Sequence, residues 1–172
     1  YFPTKGLKTN ISYTIYTNLH TNTAYSSLAA QVTKIFPITL NTFIIPTIYG
    51  RFIFNDGIPF MYSNVIGGEG YNPHYEQQIP FSGLTHTEST LKLLGNAQIQ
   101  VRHKFHEKQY LTLSGNYAIH QNQFSNFLQG KKIYGTSIGY GYDSPLGPIE
   151  GFICYSNRTN KLGFYLNIGF GF

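Results

Sequence analysis

The sequence predicts an all-β protein, a transmembrane antiparallel β-barrel with about eight long strands. Three observations carry that reading. Apolar and polar residues alternate with period two over segments longer than the five or six residues of an ordinary strand, matching the roughly nine to eleven that cross a bilayer at a tilt. Charged residues make up 11% of the 172-residue chain and aromatic residues 17%; soluble domains carry about 25% charged residues, so part of the surface is expected to avoid water. No run of eighteen apolar residues occurs, and the mean hydropathy is -0.19, which excludes helical spans but suits finely interleaved strands.

Taken in order, residues 6–20, 23–36 and 42–54 read as long strands rich in Thr, Tyr, Ile and Phe. Between Asn55 and Ser89 the alternation gives way to a Gly- and Pro-bearing loop, from Gly57-Ile58-Pro59-Phe60 to Gln77-Gln78-Ile79-Pro80-Phe81. A loop of that length inside a compact domain is functional or disordered. Alternation then returns. Leu91, Leu93, Ala97, Ile99, Val101 and Phe105 face one way, and Lys92, Asn96, Gln98, Gln100, Arg102 and Lys104 the other. The next strand sets Leu111, Leu113, Tyr117 and Ile119 against Thr112, Ser114, Asn116 and His120. Tyr134, Thr136, Ile138, Tyr140 and Tyr142 then alternate with Gly135, Ser137, Gly139 and Gly141. Each polar face is expected to line a lumen. Asp143 to Gly147 and Asn157 to Lys161 read as turns flanking a strand of about Pro148 to Asn157. The last strand, Leu162 to Phe172, alternates without a break over eleven residues. Leu162, Phe164, Leu166, Ile168, Phe170 and Phe172 take its lipid side, and Tyr165 and Asn167 its lumen side.

Candidate chemistry is sparse. His103 and His106 stand three apart, and on a strand that spacing points to opposite faces, so they do not chelate together. Cys154 is a lone cysteine on a strand and reads as a packing residue. Glu150 falls in the lumen register, where a carboxylate meeting Arg102 or Lys104 is structural. Gly67-Gly68-Glu69-Gly70 lacks the Gly-Lys-Ser/Thr ending of a phosphate loop. No Gly-x-Ser-x-Gly elbow occurs, so neither an enzymatic activity nor a cofactor is expected of this chain. The net charge is +5, but the cations are scattered, Lys131-Lys132 being the only adjacent pair. Nucleic acid is therefore not an expected partner. The chain opens on Tyr1-Phe2-Pro3 without a signal peptide, as expected of a processed form or a piece of something longer.

In their order, several landmarks resemble the barrel of the bacterial surface antigen superfamily, the class of BamA, TamA and FhaC. Tyr1-Phe2-Pro3-Thr4-Lys5-Gly6 is similar to the lead into the ninth strand of that sixteen-stranded barrel. Pro59-Phe60 followed by Ile66-Gly67-Gly68 resembles the approach to its long sixth extracellular loop, whose motif falls here on Gly67, Gly68, Gly70 and Tyr71. Gly147-Pro148-Ile149 resembles the start of the fifteenth strand, and the run ending in Phe172 the terminal strand. The family's loop arginine has no counterpart, because Glu69 precedes Gly70-Tyr71. The resemblance implies the C-terminal half of a bacterial outer-membrane barrel covering residues 1–172. It implies a role in insertion or translocation of proteins, with the last strand forming one side of a seam and the loop folding into the lumen. Membrane lipids, client outer-membrane proteins or a second barrel half are the implied partners.

Two other readings stand beside it. Gln77-Gln78-Ile79-Pro80-Phe81-Ser82-Gly83 also resembles the barrel of patatin-like outer-membrane proteins, which would make the chain the anchor of a phospholipase. A self-contained eight-stranded barrel of the OmpA or OmpX type is the other. An eight-stranded closure would crowd Gln98, Gln100, Arg102 and Lys104 in its narrow interior, so a wider closure is expected.

Overall fold

The computed structural model describes residues 4–18, 23–54, 58–68, 77–84, 87–145 and 147–169. Three long strands come first, β1 (Gly6–Asn18), β2 (Thr23–Pro37) and β3 (Thr42–Ile53). Three short ones follow, β4 (Asn64–Ile66), β5 (Gln78–Ile79) and β6 (Glu88–Thr90). Five long ones complete the order: β7 (Leu93–His106), β8 (Gln109–Gln121), β9 (Lys131–Ser144), β10 (Gly147–Ser156) and β11 (Leu162–Ile168). The long strands make one antiparallel sheet in the order β1-β2-β3-β7-β8-β9-β10-β11, and the short ones a separate sheet, β5-β4-β6. The chain is all-β, as its alternation predicts. Neighbouring long strands pair in sequence order, with only the 54–92 connection intervening, so the large sheet is a meander.

Register turns the alternation into two faces. Leu113, Ile138, Ile153 and Phe164 pair across β8 to β11 in one row, each between 46% and 69% exposed. The opposite face at the next position reads Ser114, Ser137, Cys154 and Gly163, and the first three are buried. Large apolar residues thus cover the convex face, whereas the concave one is mostly small and polar with Phe43, Ile45 and Phe152 buried among them, unlike a soluble sandwich. Cys154 packs on this inner face, as a small residue should.

Three local differences from the sequence reading have physical causes. The last strand ends at Ile168, because Gly169 turns with φ +101°; Phe170 and Phe172 lie outside the described residues, as do Tyr1 to Pro3. Pro46 sits inside β3, which has neighbours on both sides. Lacking an N–H, it interrupts the β2–β3 ladder between Thr33↔Thr47 and Phe36↔Ile44 while still standing opposite Ile99 of β7. The β8–β9 connection carries a 3-10 segment, Phe124–Gln129, which strand periodicity does not reveal.

The sheet is not closed. β1 and β11 are its two edges and do not pair with each other among the described residues, so the chain is not a narrow eight-stranded barrel. The concave side is instead occupied by the described parts of the 54–92 connection, and a barrel of eight strands has room for little beyond its own side chains.

Candidate functional site

The site is the interface between that connection and the polar wall. Its apolar part joins Ile66, Ile79, Phe81 and Leu84 of the loop to Leu94, Ala118 and Ile133 of the wall, all buried, with Tyr49 packed alongside. These wall residues occupy inward positions of β7, β8 and β9 near the ends closest to the loop. Burying a side chain such as Phe81, which is 0% exposed, contributes about 1.5–3 kcal/mol.

Below this cluster the wall turns polar, and the loop follows it. Ser82 Oγ lies 3.0 Å from Ser114 Oγ, 3.3 Å from Ser137 Oγ and donates to Asn116 Oδ1 at 3.3 Å. Asn116 Nδ2 in turn donates to the Pro80 carbonyl at 3.4 Å. A Cβ at Gly135 would stand 1.9 Å from the Ser82 carbonyl oxygen, so glycine there lets the loop backbone touch the wall. The far end of the loop is held by the β10–β11 turn. Thr159 Oγ1 donates to the Gly83 carbonyl at 3.2 Å, and Arg158 Nε pairs with Glu88 Oε2 at 3.0 Å.

The near end is held by Arg51 of β3, which is 5% exposed. Its Nη1 donates to Asn64 Oδ1 at 3.0 Å and to the Ser63 carbonyl at 3.3 Å, and its Nη2 to Ser27 Oγ of β2 at 3.1 Å. Asn64 passes the contact on, its Nδ2 donating to the Leu91 and Lys92 carbonyls at 2.8 and 2.9 Å. Arg51 therefore ties two wall strands to both ends of the loop through a planar, multiply donating group. Tyr62 completes the seat by stacking with Tyr16 of β1 and Tyr25 of β2, at centroid distances of 4.4 and 6.1 Å.

The positions singled out in the sequence fall as follows. Gly67 and Gly68 lie in the loop with φ +124° and +70°; the Gly67 N–H donates to Ile79 and the Gly68 N–H to Leu84. Gly70 and Tyr71 lie outside the described residues. Gln98, Gln100, Arg102 and Lys104 occupy the inward register of β7; Arg102 is buried and its Nε donates to Thr112 Oγ1 at 3.5 Å. Glu150 faces inward on β10 and is buried. Phe164, Leu166 and Ile168 are exposed on the convex face of β11. His103 meets Thr42 Oγ1 through Nδ1 at 2.9 Å, and no metal-binding group of three occurs among the described residues. Of the residues that seat the loop, Arg51 and Asn64 were not singled out, while Ser114 and Ser137 were read only as part of polar strand faces and Ser82 only as part of a motif. Arg51 alone left a signal, a charge at an inward position of an otherwise uncharged strand. The loop arginine expected from the resemblance is missing, and the arginine of the interface comes from the wall.

A polar-lined concave sheet with an apolar outer face and a long loop packed inside defines a membrane β-barrel portion with an internal loop. A family model described as the OMP85 superfamily matches residues 1–172. The chain belongs to that superfamily, the outer-membrane class of BamA and TamA. No curated protein matches it.

Proposed function

We propose that residues 1–172 are the C-terminal half of a bacterial outer-membrane barrel that inserts or translocates other proteins, with the 54–92 loop as its internal plug. The observation that carries this is the seating of the loop, through Arg51 at one end and Ser82 in the middle, on the polar face of a sheet whose other face is apolar. In this reading Gln98, Gln100, Arg102, Lys104 and Glu150 line the lumen, and Gly67, Gly68, Gly70 and Tyr71 shape the loop tip. The short connections at 38–41, 107–108 and 145–146 face the periplasm, and the longer ones at 54–92 and 122–130 face outward, the usual asymmetry of such barrels.

Phe164, Leu166 and Ile168 belong to the strand that forms one side of the seam. There a client strand adds by backbone pairing, with no covalent chemistry. Gly163 within it and Gly169 just past its end reduce side-chain packing and ease the opening.

Tethering tests the reading. Ser82→Cys with Ser137→Cys in a Cys154→Ser background places two thiols where hydroxyl oxygens stand 3.3 Å apart. Under oxidising conditions, delivery of client proteins to or across the outer membrane should fall, and a reductant should restore it. Unchanged delivery with the tether formed would contradict a working plug; an anchor for an attached lipase would give that result.

A further inference from the structure

At the end of the sheet that carries the longer loops, a crevice of ≈ 370 Å³ opens between β6, the start of β9 and the β10–β11 turn. Ser89, Thr90, His120, Lys131, Lys132 and Arg158 line it. Its charge is one-sided: three cations stand against one carboxylate, Glu88. Lys131 and Lys132 are exposed and have no ion-pair partner among the described residues. Arg158, 60% exposed, pairs with Glu88 through Nε alone, which leaves its terminal nitrogens for another acceptor. Nδ1 of His120 accepts the Leu91 N–H at 3.2 Å, so in the neutral ring the hydrogen sits on Nε2, a further donor. His120 and Lys131 pair across β8 and β9 and share the crevice lining with Lys132 and Arg158, which makes the group one cluster rather than neighbours in sequence.

The crevice opens on the concave side, since His120 and Lys131 pair in the inward register and Ile133 beside them packs in the loop core. The 3-10 segment Phe124–Gln129 lies against the apolar outer face, with Phe124 on Phe52 at 4.3 Å and Phe127 over Gly95, where a Cβ would stand 2.9 Å from the ring. Phe124 and Leu128 remain 64% and 75% exposed, immediately before Lys131-Lys132. This segment lies on the opposite face from the crevice and leads to Lys132, whose outward register puts one cation of the cluster at the rim of the lipid face.

We propose that this crevice binds a phosphate monoester group, carried by a lipid headgroup at the rim or by a soluble phosphate ester. Ammonium, guanidinium and imidazole N–H groups, together with the Ser89 hydroxyl, form a donor-rich set. A tetrahedral dianion with three terminal oxygens takes up more of these donors than a carboxylate does.

The test uses the full-length protein in phosphatidylcholine nanodiscs with or without phosphatidic acid, and separately in zwitterionic detergent titrated with inorganic phosphate. His120 ring nitrogen resonances and lipid retention by native mass spectrometry are read. Phosphatidic acid should shift His120 and be retained over phosphatidylcholine. Lys131→Gln with Lys132→Gln should lower retention about tenfold through loss of two charge-assisted contacts. Lys131→Arg with Lys132→Arg should keep it, and Lys161→Gln on the adjacent turn should leave it unchanged. If inorganic phosphate shifts His120 while phosphatidic acid is not enriched, the site stands and its source is free phosphate. If neither probe moves His120, or the double Gln variant binds both as the parent does, the proposal fails.

Discussion

At the scale of single residues, the concave wall is specified by what it omits. Gly135 faces inward on β9, and any side chain there would meet the Ser82 backbone, which cannot swing away as a flexible side chain would. Gly115 on the neighbouring strand has open space around its Cβ position. The pair therefore separates backbone entropy from contact. Gly135→Ala should weaken the loop's seat by about 1–3 kcal/mol, the usual cost of overpacking, and make residues 54–92 more sensitive to added protease. Gly115→Ala should stay within about 0.5 kcal/mol of the parent. Equal effects of the two would show that the Ser82 contact does not hold the loop. Arg51 is expected to behave differently: its Gln variant loses hydrogen bonds to a charged donor, each worth about 1.5–3 kcal/mol, and should loosen the loop where Asn64 enters it.

At the scale of elements, the strands were legible and the seating was not. Alternation is a local signal, so the strand from Leu93 to His106 and that from Gln109 to Gln121 could be read directly, as could the turns at Pro145 and Asn160. The contacts that hold the loop join residues far apart in sequence, Ser82 with Ser114 and Ser137 at separations of 32 and 55. Serines on a polar strand face carry no mark of which partner they will meet. Inspection of β11 likewise gave the facing of its residues but not their depth. Ile168 pairs with Ile149, only two residues past Gly147 where β10 begins, whereas Ile153 pairs with both Ile138 and Phe164 in the middle of the sheet. The cost of a charge on the lipid face depends on depth. Ile153→Arg should cost about 2–4 kcal/mol and Ile168→Arg about 0–1 kcal/mol, measured by reversible unfolding from lipid. The reverse order would place the sheet wrongly in the bilayer.

At the scale of the whole molecule, the open sheet has a consequence that hydrocarbon enforces. The outer edges of β1 and β11 present backbone N–H and C=O groups with no partner strand in the sheet, and each such group left unsatisfied in lipid costs several kcal/mol. Each edge must therefore meet another strand in the membrane, either from the same polypeptide or from a second copy. Hydrogen exchange of β1 amides in native membranes should then be nearly as slow as that of β8, which has neighbours on both sides. Fast exchange along the whole of β1 would mean that this edge lies free of lipid.

The central claim is that the large sheet is a membrane wall with lipid on one face and the loop on the other, and adjacent residues of one strand test it most directly. Single cysteines at Ser137 and Ile138, in a Cys154→Ser background, would carry a fluorescent label in lipid vesicles. The label at Ile138 should be quenched by nitroxide lipids, with the strongest effect near mid-depth. At Ser137 the label should escape lipid quenchers and report on the loop, its emission shifting when Arg51→Gln loosens the seat. Lipid quenching at Ser137 with none at Ile138 would contradict the account, because it would reverse the two faces on which every other assignment depends.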